Sequence, residues 1–346
     1  MEHKVISREN LGKWLDTITR EYDLIAPTLD DDVVLFKEVK SAARVLLDYN
    51  NTVLPAKDHF FPQTETVFRF KASAGQLAIE PEPPLARPRV LFGVRPCDLK
   101  SITLLDHVFD GDFQDGQYLD KRARTVLVGL GCNSPQPTCF CGSFGIEPGS
   151  SPAADLFFTE MEGGYLVNIQ SEKGKEALQK GWSFFADPDA GQVKEASERA
   201  ANAKKALKLS VDPKGVKEEL DHFFESPYWD EISPKCLTCG ICTYICPTCH
   251  CFDINDTSGQ AGERFRCWDS CMFTDFTRMA GGHNPRPTKK ERVRQRFLHK
   301  LRYFPDRYKE YACVGCGRCL QKCPVHMDIT QIISDVKGGK LQNAAK

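Results

Sequence analysis

Long apolar runs are missing from this 346-residue chain. No stretch of about 18 apolar residues occurs, so nothing in it reads as a membrane-spanning helix. The opening Met1-Glu2-His3-Lys4 carries no apolar signal segment. An excess of one charge is missing too: 46 lysines and arginines stand against 47 aspartates and glutamates. That balance argues against a nucleic-acid partner or an acidic tail. There is no Walker phosphate loop, and no G-x-G-x-x-G opens a helix after a strand. No carboxylate pair or nucleophile–histidine arrangement stands out. The chain therefore shows no recognisable flavin or nicotinamide motif and no visible substrate chemistry of its own.

Cysteine is absent from long tracts and crowded elsewhere. Of 16 cysteines, none precedes Cys97, four fall in 97–141, none lies in 142–235, and twelve lie in 236–323. So many thiols without a secretory leader suit metal binding in a reducing, cytoplasmic, oxygen-poor setting better than disulfides. The distribution also divides the chain. It predicts an α/β domain over 1–190, a helical connector over 191–228, and a cysteine-rich, mainly helical domain over 229–346.

One four-cysteine phrase is written twice. Cys236, Cys239, Cys242 and Cys246 precede Pro247, and Cys313, Cys316, Cys319 and Cys323 precede Pro324, at the same spacing. This is the ligand run of a protein holding two [4Fe–4S] clusters, in which the fourth cysteine of each run serves the other cluster. The spacing then assigns Cys236, Cys239, Cys242 and Cys323 to one cluster, and Cys313, Cys316, Cys319 and Cys246 to its neighbour. Zinc ribbons pair Cys-x2-Cys but need no third and fourth thiol at these offsets. Cys242, Cys246 and Cys249 also match a radical S-adenosylmethionine loop, but no repeated βα units follow. The 66 residues between Cys246 and Cys313 are long for a small β-rich ferredoxin, so a mainly helical dicluster domain is expected. That insert holds Cys249, His250, Cys251, Cys267 and Cys271. They are read as lining the cluster pocket, with a further metal as the alternative.

In the N-terminal half, RVLFGV (89–94) and TVLVGL (125–130) are unalternating apolar runs, the pattern of strands buried on both faces of a parallel sheet. Cys97 follows the first and Cys132 the second, with Cys139 and Cys141 in the next loop. Parallel neighbours would bring Cys97 and Cys132 to the carboxyl edge, where open α/β sheets place ligands. Asp98 is the expected N-cap of the helix after Cys97. Cys97, Cys132, Cys139 and Cys141 are therefore a candidate third cluster site; the alternative is four scattered buried thiols. Residues 157–163 and 164–169 read as a hairpin around Gly163-Gly164, and 192–208 as a helix. Asp212-Pro213 opens another helix, with Val216, Leu220, Phe223 and Phe224 on one face.

From Arg286 to Arg302, eight of seventeen residues are lysine or arginine. Such a run is usually a solvated helix face. Its alternatives are a docking surface for an acidic partner and a positive field beside a cluster.

The phrases FGVRPCDLKSI (92–102), VGLGCNSPQPTCFCGSFG (128–145), CLTCGICTYICPTCHCFDI (236–254), RCWDSCMFTDFTRMAGGHNPRP (266–287) and CVGCGRCLQKCPVHMDI (313–329) carry a resemblance. It is to the iron–sulfur beta subunit of cytosolic sulfhydrogenase-type nickel–iron hydrogenases. The iron–sulfur subunits of heterodisulfide-reductase-linked flavin oxidoreductases and of anaerobic sulfite reductase are similar more loosely. The resemblance implies a heteromeric enzyme in which this subunit passes single electrons. One terminal would be an FAD- and NAD(P)H-binding subunit. A hydrogenase, heterodisulfide reductase or sulfite reductase module stands at the other. The resemblance carries the eight repeated cysteines over as ligands. A cluster-based redox sensor or assembly protein is the reading from another class.

Overall fold

The two unalternating apolar runs are adjacent parallel strands, packed between others and buried along their length. In chain order the described strands are β1 (Glu2–Ser7), β2 (Asp23–Asp30), β3 (Val33–Val39), β4 (Thr64–Ser73) and β5 (Gln76–Pro81). They continue with β6 (Arg89–Val94), β7 (Thr125–Leu130), β8 (Leu156–Met161), β9 (Gly164–Ile169), β10 (Phe252–Asp256) and β11 (Ala261–Trp268). The computed structural model describes residues 2–73, 75–257 and 259–338. These divide into two units.

The first unit comprises Met1–Ala56, Leu85–Leu209 and Val314–Cys316. Its sheet runs β1-β9-β8-β7-β6-β2-β3. The β2/β6, β6/β7 and β7/β8 pairs are parallel, and the outer pairs are antiparallel. This is the expected α/β domain with a partly parallel sheet. Its core packs against the helix Arg8–Glu21, which buries Leu11, Trp14, Leu15 and Ile18 at helical spacing. Trp14 stacks on Phe158 with ring centroids 5.7 Å apart and meets the edge of Phe92 at 6.4 Å, the offset and edge-on contacts that aromatic quadrupoles favour.

Local expectations are met with adjustments. Strands β8 and β9 form the hairpin, turning at Gly163 with φ +76°. The helix expected over 192–208 spans Ala190–Lys205, started by Asp189 and Gln192 capping each other's backbone. The helix expected to open at Asp212-Pro213 starts late, at Val216–Asp221. Val216, Leu220 and Phe223 are buried as expected, but Phe224 is exposed, with the Arg294 guanidinium 3.7 Å above its ring. Asp98 does not cap its helix. Pro96–Phe109 begins one turn earlier, with Arg95 at the N-cap and Pro96 in the first turn, where a missing N–H costs nothing.

The second unit comprises Lys57–Pro84, Ser210–Cys313 and Gly317–Lys346. It is mainly helical around both cysteine phrases, as expected. It also contains an antiparallel sheet ordered β10-β11-β4-β5, half of it drawn from the N-terminal part of the chain. The units therefore interleave in sequence rather than following 1–190, 191–228 and 229–346. The physical reason is strand pairing: β4 satisfies its backbone by pairing with β11. A buried ion pair between Arg266 and Glu65 at 2.5 Å ties the two strands together. Among the described residues, no helix is long and apolar enough to cross a membrane.

Candidate metal centres

The duplication in the sequence is also a duplication in backbone. Each phrase turns into a short helix through a left-handed glycine. Gly240 (φ 75°, ψ −11°) precedes Ile241–Tyr244, and Gly317 (φ 76°, ψ −12°) precedes Arg318–Lys322. Two residues before each glycine, Thr238 and Gly315 also take positive φ, 53° and 59°. Repeating this turn lets three thiols per phrase converge, which an ordinary right-handed path would not. The two short helices, each leading into a fourth cysteine, pack against each other. Backbone N–H groups point at sulfur: Thr238 donates to Cys236 Sγ at 3.4 Å and Met327 to Cys323 Sγ at 3.2 Å, contacts that favour a thiolate.

Cys246 is held beside the start of the other phrase. Thr248 Oγ1 donates to the Ala312 carbonyl at 2.8 Å, and Lys300 Nζ donates to the same carbonyl at 3.2 Å. Lys300 also donates to Cys246 Sγ and to Thr248 Oγ1, both at 3.1 Å. Ala312 is the residue before Cys313. A hydrogen bond from Cys249, reinforced by Lys300, holds the Cys246 thiol well below its ordinary range.

The insert cysteines sort into pairs. Cys249 contacts Cys246, and Cys271 hydrogen-bonds to Cys251, taking Cys251 to about 7. Cys267 lies on β11, where Asn255 Nδ2 donates to its sulfur at 3.5 Å. Among the described residues, no three His, Cys, Asp or Glu side chains stand close enough to hold a single metal ion. A cubane spreads its thiolates over four different irons, so its ligands do not need that spacing.

The basic run is not a solvated face. Arg292, Arg296 and Lys300 are buried, and so is Lys57 from the N-terminal part of the chain. Lys57 donates to the Cys249 carbonyl at 2.7 Å and lies 4.1 Å from the Trp268 ring. Buried cations require negative partners. Burial pulls against the charge of Lys300, but Cys246, Cys249 and Cys313 more than offset it and hold the ammonium protonated. Sulfur-only donors ringed by buried cations fit [4Fe–4S] clusters, whose thiolate-bound form is anionic. Sequence reasoning named this positive field only as an alternative. The signal available was the four-residue spacing of Arg292, Arg296 and Lys300, which puts them on one helix face.

In the first unit, Cys97, Cys132, Cys139 and Cys141 line one pocket. Strands β6 and β7 deliver Cys97 and Cys132 to the same carboxyl edge, as expected. Arg95 fixes that edge: its buried guanidinium donates to the Gly131 and Tyr49 carbonyls and lies 4.1 Å from the Tyr49 ring. Burial, with Cys132 and Cys139 nearby, pushes the Cys141 thiol up to about 12. Cys316 lines the same pocket and was not anticipated there. Its carbonyl accepts from Cys139 Sγ at 3.7 Å and from Asn51 Nδ2 at 3.0 Å, while Phe140 N–H donates to the Gly315 carbonyl at 2.8 Å.

Gly315 makes this approach possible. A Cβ there would sit 2.5 Å from the Phe140 backbone. Thr238 shows that the positive φ alone tolerates a side chain, so space is the limit. Gly315→Ala is expected to cost about 1–3 kcal/mol of stability and to reduce bound iron, whereas Thr238→Gly should leave both nearly unchanged. Thermal unfolding and iron content of the two variants check this.

Residues 235–327 match the family model described as a 4Fe-4S dicluster domain. The chain is 33% identical over 341 residues to sulfhydrogenase 2 subunit beta of Pyrococcus furiosus, covering 98% of this chain and 99% of that protein. Interlocked cysteine phrases, sulfur-facing cations and a near-full-length relative all agree: the chain belongs to the iron–sulfur beta-subunit family of the sulfhydrogenases.

Proposed function

We propose that this chain is the electron relay of a multisubunit oxidoreductase. It would connect an FAD- and NAD(P)H-binding subunit with a hydrogenase-type catalytic subunit. The single observation that carries this is the interlocking of the two phrases, with Cys246 and Thr248 held against Ala312. Near-full-length similarity to a sulfhydrogenase subunit supports the hydrogenase module over the heterodisulfide reductase and sulfite reductase alternatives. When bound, each [4Fe–4S] cluster supplies one-electron oxidation and reduction.

The residues of the chain divide the work. Cys236, Cys239, Cys242 and Cys323 would hold one cluster, and Cys313, Cys316, Cys319 and Cys246 its neighbour. Exchanging the fourth ligands keeps the two sites adjacent. Cys97, Cys132, Cys139 and Cys141 would hold a third. The hydrogen bond from Cys139 Sγ to the Cys316 carbonyl joins that pocket to the second phrase without intervening water. At the first phrase, Cys239 is exposed, with exposed Leu237 and Ile241 flanking it. An apolar rim around an accessible ligand suits a protein partner better than a small molecule.

Anaerobic iron and sulfide quantification, paired with electron paramagnetic resonance during reductive titration, tests this. The expected result is about twelve irons per chain in three reducible centres, with no flavin band and no oxidation of NAD(P)H by the chain alone. About eight irons would limit the relay to the paired clusters. A bound flavin, or NAD(P)H turnover by the isolated chain, would make it an enzyme in its own right.

A further inference from the structure

Three cations lie four residues apart on the helical segment that starts with Lys289–Leu298: Arg292, Arg296 and Lys300. The third has its partners, donating to Cys246 Sγ, Thr248 and the Ala312 carbonyl. It sits in a π-helical turn, His299–Tyr303, inserted between two α-helical stretches. Such turns cost backbone regularity and recur where a side chain must be aimed.

Arg296 differs. It is 3% exposed, and its Nε and Nη1 atoms find no hydrogen-bond partner among the described residues. Its guanidinium lies 4.5 Å from the Phe297 ring, which leaves those donors unused. The groups that act most on its charge are cysteines: Cys242 first, then Cys319, Cys249 and Cys246. A buried guanidinium with idle donors is costly unless something anionic completes it. None of these leading groups is a carboxylate.

We infer that Arg296 is a redox-tuning residue, whose idle donors point to the sulfur of the cluster held by Cys242, while Lys300 does the same for the cluster that takes Cys246. Hydrogen bonds to cluster sulfur and a nearby positive charge both stabilise the reduced form, which carries one more electron. One cation is thus assigned to each member of the pair. Arg296 acts as a positioning and electrostatic residue and not as a ligand. The inference rests on the two-cluster reading proposed above.

The test compares full-length wild type with Arg296→Met, Arg296→Gln, Arg296→Lys, Lys300→Met and Arg302→Gln. Each is purified anaerobically, analysed for iron and titrated by electron paramagnetic resonance. Arg296→Met is expected to lower the reduced-to-oxidised ratio of one centre at least tenfold at fixed potential. That is about 59 mV for one electron. Lys300→Met should move the other centre. Arg302→Gln removes an equal charge that is paired with Asp221 outside the cluster pocket, and should move neither by more than about threefold, about 30 mV for one electron.

Unmoved midpoints in an iron-replete Arg296→Met or Arg296→Gln overturn the inference. So does a shift of equal size in Arg302→Gln. If Met and Gln both lose iron while Lys retains it, the need for charge is supported. If all three lose iron, the role is packing and the inference fails. Wild type below about eight irons per chain would defeat the two-cluster reading itself before any variant is compared.

Discussion

Cys246→Ser is expected to destroy or convert the cluster held by Cys313, Cys316 and Cys319, and to spare the one held by Cys236, Cys239 and Cys242. Cys246 is nearer the first group in sequence, so the expectation runs against chain order. It follows from two short contacts. The Cys246 thiol accepts a hydrogen bond from Lys300, and Lys300 and Thr248 both donate to the carbonyl of Ala312, one residue before Cys313. Iron should fall by up to about four per chain, and the signal lost should be the one that Cys319→Ser also removes. Lys300 then adds to the damage: with the thiolate gone, a buried ammonium loses a principal counter-charge. Removing one partner of a buried pair typically costs about 3–5 kcal/mol, so a lowered melting temperature should accompany the iron loss. Loss of the first-phrase signal instead would show that each phrase serves its own cluster.

Cys132→Ala should remove about four irons and leave the spectra of the paired centres in place. Cys132 stands just past β7, and Cys97 just past β6, its parallel neighbour. Cys139 and Cys141 line the same pocket, and all four belong to the first unit. The thiol of Cys141 is raised to about 12 by burial and by its cysteine neighbours. Without a cation the four thiols are therefore protonated and inert at neutral pH. A third cluster would supply that cation and should be detectable as iron bound independently of the second unit. Were the four merely packing groups, Cys132→Ala would leave iron content at the wild-type value, and the relay would then consist of the paired clusters alone.

The dicluster sites were legible because metal-ligand spacing is a local property. A Cys-x2-Cys-x2-Cys loop has few ways to bring three thiols together, and the turn at Gly240 recurs at Gly317. The N-terminal four were half legible. Strand patterning brings Cys97 and Cys132 to one edge, but nothing in the linear order indicates that Cys316 lines their pocket. Asp98 looked like a cap because aspartate favours that position, yet proline starts the helix a turn earlier.

By itself the sequence determined the ligand phrases, the partly parallel sheet, the helical character of the dicluster region and the family resemblance. All of these rest on spacing and periodicity within short windows. Tertiary structure alone decided three other things. It recruited β4 and β5 into the second unit, because a strand takes its hydrogen bonds from whichever partner edge is available. It brought Gly315 against Phe140, where only a missing side chain allows the approach. And it turned a basic run inward, so that Arg296 and Lys300 face sulfur and not water. Charge in a sequence records how many cations a segment carries. Which of them are desolvated, and beside what, depends on the packing of residues far away along the chain.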